Sequence, residues 1–415
     1  MLVLDASYSL EAIRSRKMED SITCRDLDGF FKHVWTVHLF ASLVTSKSWG
    51  LTYGKPAWYT LAPAHTFIEG KVGRYAALRW VKPLNFIFSQ AGIFFTLYRL
   101  IRKEKISVIR VGDPLYLGMF GWLLARLCRI PIVVRIGGNY DKICETTGHA
   151  MMPRIFFSRK IEKKFERFIL SRADLVAGAN QDNLDFALRN GARPEYSTLF
   201  RYGNLINKFH FIEPYLRKDG ISFLQKIEIE PYKFLLYIGR LESVKHPEDI
   251  LKVLAEVRDN GYNMKAVLVG DGESKNLLIN LSKKLGIEDQ VVLCGNRDQE
   301  WLANVIPLAA VVVSPHTGRA LLEAALGGAA IVAYDIDWQS ELITTGLTGE
   351  LVPYLDWEKM AKSVTNFLND VDYCATIKKA VRKKAMEMMD PAMLNEHERN
   401  QYLLLLNRTE KKRKR

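Results

Sequence analysis

Residues 311–341 read VVVSPHTGRALLEAALGGAAIVAYDIDWQSE, and this stretch decides the fold. The pattern predicts a buried strand, a loop, a short helix and a second strand. A β-branched run suits a strand covered on both faces, proline and glycine mark the loop, and a glycine pair stops the helix. The predicted elements are the strand Val311–Val313, the loop Ser314–Gly318, the helix Arg319–Leu326, the stop at Gly327 and Gly328, and the strand Ala330–Ala333.

The helix of this unit should begin at the carboxyl edge of a parallel sheet. Backbone N–H groups and the helix dipole favour an anionic ligand at that point. Glu323 stands on the second turn of the helix in an otherwise apolar sequence. A carboxylate there either caps a structural group or holds the hydroxyls of a ligand, and the sequence leaves both interpretations open.

The remaining chain alternates strands with helices in the same way, which predicts an α/β fold with two doubly wound, parallel-sheet domains. Its 415 residues allow two separate cores. We expect an N-terminal Rossmann-like domain over residues 1–210, a linker near 208–226 and a C-terminal Rossmann-like domain over residues 228–390. Residues 391–415 should form a helix that crosses back to the N-terminal domain and ends in a basic tail.

The charge of the chain points to anionic partners. Fifty-nine Lys and Arg residues against 46 Asp and Glu residues leave a net charge of +13. Such a field favours nucleotide diphosphates, acidic phospholipid surfaces or nucleic acid. Part of the excess lies in the tail Lys411–Arg415, which we expect to be solvated and disordered. No helix-turn-helix, zinc or aromatic RNA-binding signature supports nucleic acid as the partner.

Cysteine usage and the lack of a leader pattern favour a cytoplasmic location. The five cysteines are widely spaced and form no CxxC pair, so neither disulfides nor a zinc site are expected. The N-terminus does not show a signal-peptide pattern, and no run of 18 apolar residues occurs.

Two segments could nevertheless meet a membrane surface. Phe86–Ile101 is apolar, with basic neighbours and several polar interruptions. We favour a helix that packs on a sheet, and the alternative is a helix lying on an anionic membrane. The basic helix predicted over residues 154–172 would add cations to such a face, although a charge run is often only a solvated helix.

Four strand ends of the C-terminal half carry glycine or polar residues, and ligands collect at such ends in parallel sheets. Glycine lets the backbone approach a ligand closely, and an Arg–Lys pair suits a diphosphate. Each cation alone could equally be a solvated surface charge. The four ends are Gly239–Arg240 with Lys245, Gly270–Gly272, Gly295–Arg297 and Ser314–Gly318.

These motifs resemble a known family. GRLESVKH (239–246), LVGDGES (268–274), VVLCGN (291–296) and SPHTGRALLEAALGGAAIVAYDIDWQSELI (314–343) are similar to the C-terminal half of retaining glycosyltransferases of the GT-B fold, in the nucleotide-sugar group called glycosyltransferase family 4, or glycosyl transferases group 1. The resemblance is close over residues 230–365 and looser over 106–209. It implies two Rossmann-like domains that face each other across a cleft, and a hexosyltransferase-type activity (EC 2.4).

The resemblance also implies roles for single residues. Arg240 and Lys245 would bind the donor diphosphate and stabilise the departing phosphate, and Glu323 would hold the ribose hydroxyls. No metal or other cofactor is expected. The remaining donor-binding residues that the resemblance implies are Gly239, Gly295, Asn296, Arg297, Gly318, Arg319, Ala320 and Leu321.

The sequence departs from the family pattern at the position of a sugar-contacting glutamate. Pro315 stands there, with His316 and Thr317 beside it, and we interpret these two as candidates for the sugar contact. In the N-terminal half, histidines that the family often has at two strand ends are replaced. Polar residues gather near the expected cleft instead: Arg110, Asp113, Arg135, Asn139 and Asp141. We expect Arg135, Asn139 and Asp141 on the acceptor side.

Within this group, Asp113 could orient an acceptor hydroxyl and act in catalysis, and Arg135 could meet a phosphate. A buried Arg135–Asp113 ion pair is the structural alternative. The leading functional hypothesis is transfer of a sugar, with retention, from a nucleotide-diphosphate sugar to a saccharide or lipid-linked acceptor. We expect this in surface-polysaccharide or glycolipid synthesis, in the cytoplasm and at the inner face of the plasma membrane. The alternative is a non-catalytic or partner-dependent GT-B protein that only binds the nucleotide sugar.

Overall fold

The computed structural model describes residues 1–5, 8–15, 19–41, 53–201, 206–316 and 318–414, which divide into two α/β units. Unit 1 comprises Met1–Leu205 together with Pro391–Arg415, and unit 2 comprises Ile206–Asp390. Residues 206–227, which we expected as part of the N-terminal domain and a linker, therefore group with unit 2.

Unit 1 contains an eight-stranded sheet. Its strands are β1 Leu2–Asp5, β2 Val34–His38, β3 Ala57–Ala62, β4 His65–Glu69, β5 Ile109–Val111, β6 Ile132–Ile136, β7 Leu175–Gly178 and β8 Ser197–Leu199. The order is β3-β4-β2-β1-β5-β6-β7-β8, and every neighbouring pair is parallel except the antiparallel pair of β3 and β4. Strands β4 and β8 were not predicted.

The first helices of unit 1 cover this sheet. They are α1 Leu10–Ser15, α2 Asp20–Thr23, α3 Lys82–Lys103, α4 Tyr116–Cys128, α5 Tyr140–Thr147, α6 Pro153–Phe156, α7 Arg159–Leu170 and α8 Gln181–Arg189. The main core lies between the sheet and helices α3, α4 and α8, where Leu4, Leu97 and Leu124 are fully buried.

Helix α3 has an unusual distribution of polar and apolar side chains. Asn85 accepts hydrogen bonds from two backbone N–H groups of the segment before the helix, and Gln90 bonds the carbonyl of Leu39 and the hydroxyl of Tyr116. These polar groups are buried, while several aromatic and aliphatic side chains of the helix are exposed. The interpretation that this segment packs on the sheet is therefore correct for one face only.

By length and composition alone, α3 is also apolar enough to cross a membrane, a test that core helices of soluble proteins pass as well. About a third of its apolar window, 33%, is buried inside unit 1.

Unit 2 contains a six-stranded, fully parallel sheet. Its strands are β9 Phe234–Ile238, β10 Lys265–Val269, β11 Val291–Gly295, β12 Val311–Ser314, β13 Ile331–Tyr334 and β14 Glu350–Val352. The strand order is β11-β10-β9-β12-β13-β14, so successive strands are added to one side of β9 as far as β11 and to its other side from β12 onward. The carboxyl edge at such a reversal is where doubly wound sheets bind ligands.

The helices of unit 2 are α9 Gly220–Gln225, α10 Glu248–Asp259, α11 Lys275–Lys284, α12 Gln299–Val305, α13 Arg319–Leu326, α14 Gln339–Leu342, α15 Trp357–Asn369 and α16 Val371–Met389. They bury an aliphatic core around the central strands, in which Leu235, Val311 and Val332 are completely covered.

The last helix, α17 Pro391–Lys414, belongs to unit 1. Tyr402 and Leu405 pack with Met1, Val3 and other side chains in a second core of that unit. Arg110 of β5 lies 3.2 Å from Glu398 of this helix, and both side chains are buried. The helix continues as far as Lys414, so the prediction of a disordered tail from Lys411 is wrong for residues 411–414.

Candidate functional site

The loops after β9 and β10 are locked together by two glycines. A Cβ on Gly270 would lie 1.8 Å from the carbonyl oxygen of Gly239, and a Cβ on Gly272 would lie 2.4 Å from that of Leu241. Gly270 also has φ +141°, a value that L side chains rarely adopt. We expected these glycines to let the backbone approach a ligand, but here the close approach is between two loops. The loops after β9 and β10 therefore pack directly against each other at this edge of the sheet.

Two other glycines of the predicted site face open space. Gly295 has φ +63° at the end of β11, and Gly318 precedes the first residue of α13. A Cβ would meet nothing within 4 Å at either position. Helix α13 thus begins beside open space, although the N–H of Leu321 already donates to the carbonyl of Gly318 at 3.1 Å. Donor binding by the backbone of Gly318, Arg319, Ala320 and Leu321 stays a prediction.

Arg240 and Lys245 follow β9 and differ in their surroundings. Arg240 is largely exposed and pairs with Glu242 at 2.6 Å. Tyr237 donates a hydrogen bond to the carbonyl of Arg240, which fixes the loop between the two cations. Burial, and secondarily the charge of Arg240, lower the pKa of Lys245 below its usual value. A bound diphosphate would offset the repulsion between Lys245 and Arg240. It would also take the place of Glu242, whose pair with the exposed Arg240 is screened by solvent.

Glu323 is the most informative residue of the site. Its side chain is only 3% exposed, yet its Oε1 atom has no hydrogen-bond partner. Arg319 places Nε 3.0 Å from this oxygen, within ion-pair distance but without hydrogen-bond geometry. We give the missing hydrogen bond more weight, because a buried carboxylate oxygen without a donor is costly and points to a ligand that supplies one.

His316 joins the loops that follow β9, β12 and β13. Its Nδ1 lies 3.0 Å from the carbonyl oxygen of Val244, and its Nε2 lies 2.6 Å from Oδ2 of Asp337. These two contacts hold the imidazole ring between the carbonyl of Val244 and the carboxylate of Asp337. The other candidate for the sugar contact, Thr317, lies outside the described residues.

The region predicted near the base of the nucleotide lies at the end of the edge strand β11. Asn296 and Arg297 are exposed there. The guanidinium of Arg297 stacks over the ring of Trp301, with 5.4 Å between the group and the ring centroid. An exposed, stacked guanidinium beside an open glycine offers a flat surface of the kind that bases stack on.

The structure gives the predicted acceptor-side residues local structural partners in unit 1. Asp113 accepts backbone hydrogen bonds from Leu115 and Leu117 at 2.7 and 3.2 Å, and so caps the beginning of α4. Burial raises the pKa of Asp113 to about 7. Arg135 donates to the carbonyl oxygen of Phe200 at 3.1 Å. These contacts differ from the Arg135–Asp113 ion pair that we considered as the structural alternative.

The other two acceptor-side candidates hold helices together. Asn139 caps α5, and its amide nitrogen lies 3.2 Å from a carboxylate oxygen of Asp182. Asp141 pairs with Arg159 at 2.9 Å and with Lys163 at 3.0 Å. None of these contacts tests a role toward a substrate, which stays a prediction.

His210 was missed by the sequence analysis, which placed it in a linker. It is completely buried in unit 2, with Nε2 2.8 Å from the amide oxygen of Gln299 and no hydrogen-bond partner for Nδ1. Burial lowers the pKa of His210, and the negative charge of Glu323 opposes that shift. An isolated histidine in a charged, irregular segment gave no signal for this position.

One group of three side chains in the described part of the chain has the spacing of metal ligands. His246, Glu248 and Asp249 offer ligand atoms within 4.8 Å of one another. Nε2 of His246 bonds the hydroxyl of Tyr354, and Asp249 accepts a hydrogen bond from Tyr334. These contacts account for the group without an ion, and we assign no metal to it.

Two α/β units, each built on a largely or wholly parallel sheet, fit the GT-B fold of glycosyltransferases. Residues 222–384 match the family described as Glycosyl transferases group 1. This part of the chain therefore belongs to the group 1 glycosyltransferases, and the chain has the GT-B fold. The predicted family and fold are confirmed.

Individual relatives are distant. The chain is 25% identical over 264 residues to an alpha-D-kanosaminyltransferase of Streptomyces kanamyceticus, covering 60% of this chain and 64% of that protein. It is also 25% identical over 263 residues to an N-acetylgalactosamine-N,N'-diacetylbacillosaminyl-diphospho-undecaprenol 4-alpha-N-acetylgalactosaminyltransferase of Campylobacter jejuni, covering 62% and 67%. The matched regions thus span about two thirds or less of these relatives.

A solved structure is similar over nearly the whole chain. The Anabaena protein Alr3699/HepE, in complex with UDP and glucose, superposes with a TM-score of 0.69 over 96% of this chain and 98% of its own. At 16% sequence identity this likeness supports the fold alone.

Proposed function

We propose that this protein transfers a sugar from a nucleotide-diphosphate sugar to an acceptor hydroxyl. The observation that carries the proposal is Glu323, a buried carboxylate with an unsatisfied oxygen on the helix that begins at the ligand-binding edge. A ribose supplies neighbouring hydroxyl donors for such an oxygen. The similar Anabaena protein was solved in complex with UDP and glucose, which makes a UDP-sugar the first donor to test.

The chemistry that we assign to the site is electrostatic. When the bond between the sugar and the diphosphate breaks, negative charge grows on the departing phosphate. Arg240 and Lys245 lie on the loop after β9 and would meet that charge, Arg240 by exchanging its exposed pair with Glu242 for the phosphate. Transfer with retention and independence of a metal follow from the family resemblance and belong to this proposal.

Acceptor and location are the finer part of the proposal. A lipid-linked saccharide fits the Campylobacter relative, whose name includes a diphospho-undecaprenol acceptor. We place the reaction in surface-polysaccharide or glycolipid synthesis at the inner face of the plasma membrane, in the cytoplasm. The five free cysteines suit a reducing compartment.

The test is binding and hydrolysis of a panel of UDP-, GDP- and TDP-sugars, measured by calorimetry and by release of the nucleotide. Arg240→Ala should weaken binding of the accepted donor, while Lys283→Ala, an exposed cation on α11, serves as the matched control. The anomeric configuration of the product, read by NMR, decides retention. Binding that is equally strong in Arg240→Ala and in the wild type would contradict this site.

A second candidate function is favoured by one observation, the proline at position 315. The family's sugar-contacting glutamate is missing there, and the adjacent His316 is paired with Asp337. The protein would then bind a nucleotide sugar without turning it over alone. Donor binding without hydrolysis or transfer supports this candidate. Slower hydrolysis in His316→Gln, with unchanged UDP affinity, supports catalysis with His316 near the sugar.

A further inference from the structure

Helix α3 presents an apolar stripe to solvent. Its exposed side chains recur every three or four residues and lie on one face of the helix. They are Leu84, Ile87, Phe88 and Phe95, which are between 42% and 60% exposed. From Leu84 to Phe95 the stripe is about 16 Å long, at a rise of 1.5 Å per residue.

The opposite face of α3 explains why the apolar side chains point outward. Asn85, Ser89 and Gln90 are buried, and they bond backbone groups of Tyr75, Lys71 and Leu39. Turning the helix to bury the stripe would expose the apolar residues that now lie in the core and break these buried hydrogen bonds, which is expensive. The outward stripe is thus built into unit 1.

The neighbouring surface continues the same composition. Trp80, just before the helix, is 82% exposed, and the guanidinium of Arg79 stacks on its ring. Helix α4 packs against α3 through Phe94 and Phe120, whose ring centroids are 5.3 Å apart. It adds two exposed leucines, Leu123 and Leu127. We call these exposed side chains on α3, α4 and Trp80 the apolar face.

Basic residues predominate around the apolar face, although Glu69 pairs with Lys71 and Glu104 pairs with Lys103 at its borders. Residues 70–103 contain seven basic and no acidic residues, namely Lys71, Arg74, Arg79, Lys82, Arg99, Arg102 and Lys103. Residues 116–131 contain Arg126 and Arg129 and again no acidic residue. A second copy of this face would bring like charges together, so self-association through it is disfavoured. An anionic surface with an apolar interior matches both properties.

We propose that the apolar face of unit 1 docks on an anionic phospholipid bilayer. The stripe of α3 and the ring of Trp80 enter the boundary between headgroups and acyl chains. Arg99 and Arg102, one turn apart toward the end of α3, reach the lipid phosphates with their long side chains. This inference deepens the proposed function, because it identifies the lipid surface on which a lipid-linked acceptor would be met.

Flotation of the full-length protein with vesicles tests the inference. We expect binding to vesicles of phosphatidylcholine mixed with phosphatidylglycerol, weak binding to phosphatidylcholine alone, and loss of binding at high salt. Ile87→Ser with Phe95→Ser should weaken binding about tenfold for each substitution, because each removes an exposed apolar side chain. Arg99→Gln with Arg102→Gln should weaken it about fivefold per charge.

The matched control is Leu277→Ser with Ile279→Ser, which removes two exposed apolar side chains from the basic helix α11 of unit 2. This variant should float like the wild type. Circular dichroism confirms that the exposed substitutions leave the fold intact. Wild-type protein that does not float, or variants that float unchanged, overturn the inference.

Two further measurements separate this inference from its alternatives. Light scattering reports the oligomeric state, and a dimer that Ile87→Ser and Phe95→Ser dissociate would overturn the proposal in favour of a second copy. UDP binding without vesicles reports the nucleotide site and should be identical in these variants. If the protein floats but does not bind UDP, membrane docking is supported and the proposed function fails. If it binds UDP but does not float, the proposed function is supported and membrane docking fails.

Discussion

Replacing Glu323 by glutamine should stabilise the ligand-free protein and weaken nucleotide binding, two effects of opposite sign. In the free protein, the buried carboxylate has an oxygen without a hydrogen-bond donor. A neutral amide of the same shape removes the buried charge, a gain of about 1 kcal/mol. The substitution also loses the pair with Arg319, whose side chain is 43% exposed. Such an i,i+4 pair contributes about 0.3–0.5 kcal/mol, so the gain is larger.

The affinity of Glu323→Gln for UDP should fall, although the ligand-free variant is more stable. A charged hydrogen bond between the carboxylate and a ribose hydroxyl contributes about 1.5–3 kcal/mol. Its loss raises the Kd for UDP about 10- to 150-fold. Calorimetric titration measures the affinity, and thermal unfolding of the free protein measures the stability. Glu256→Gln, an exposed glutamate on α10, is the control that should change neither quantity.

A modified ligand sharpens this test. Deoxy-UDP lacks one ribose hydroxyl and should bind more weakly than UDP to the wild type, and the difference should shrink in Glu323→Gln. The reasoning is refuted if Glu323→Gln lowers the unfolding temperature and leaves the Kd unchanged. That result would assign Glu323 to the structural pair with Arg319.

Gly270→Ala should destabilise unit 2 by more than about 3 kcal/mol and abolish UDP binding, because its Cβ would overlap the Gly239 carbonyl oxygen. Gly295 has φ +63° and open space around its Cβ position, so Gly295→Ala should lower the free energy of urea unfolding by only about 1–2 kcal/mol. Because burial raises the pKa of Asp113 to about 7, its contribution to stability is present at low pH and lost as the pH rises through 7. Asp113→Asn should therefore gain about 2–3 kcal/mol over the wild type between pH 5 and pH 8, and a pH-independent difference in unfolding would contradict this. Burial lowers the pKa of Lys245, and a bound diphosphate would raise it. UDP affinity measured by calorimetry should therefore fall, by up to about tenfold per pH unit, as alkaline pH removes the proton of Lys245. Lys245→Arg should make the affinity independent of pH in this range, and an unchanged slope in this variant would exclude Lys245.

The sequence was sufficient for the repeating architecture of unit 2. Continuous β-branched runs such as Val311–Val313 are typical of strands covered on both faces, and Gly327 ends α13 as expected. Helix α13 has the predicted bounds, Arg319–Leu326. In unit 1, β4 was missed because His65 and Glu69 interrupt its apolar pattern, although both are buried in the structure.

Side-chain partners could not be predicted, because they depend on loops that meet only in the folded chain. Asp337 pairs with His316, which is 21 positions away in the sequence. The sequence of neither loop indicates that the two side chains will meet. Periodicity also failed to orient α3, because the polar residues on that helix are satisfied by the backbone of a segment outside it. The charge of Asp113 suggested chemistry, while its observed partners are the N–H groups of a helix it caps.

The return of α17 to unit 1 sets an order of events during synthesis on the ribosome. Unit 2 is one continuous segment and can complete its sheet as soon as Asp390 has emerged. Unit 1 is translated first but must wait for the last 25 residues, because Tyr402 and Leu405 close its second core and Glu398 neutralises the buried Arg110. A chain that stops before Pro391 lacks the carboxylate that lies 3.2 Å from that arginine and the side chains that close that core. Unit 1 therefore cannot be completed before unit 2 has been translated.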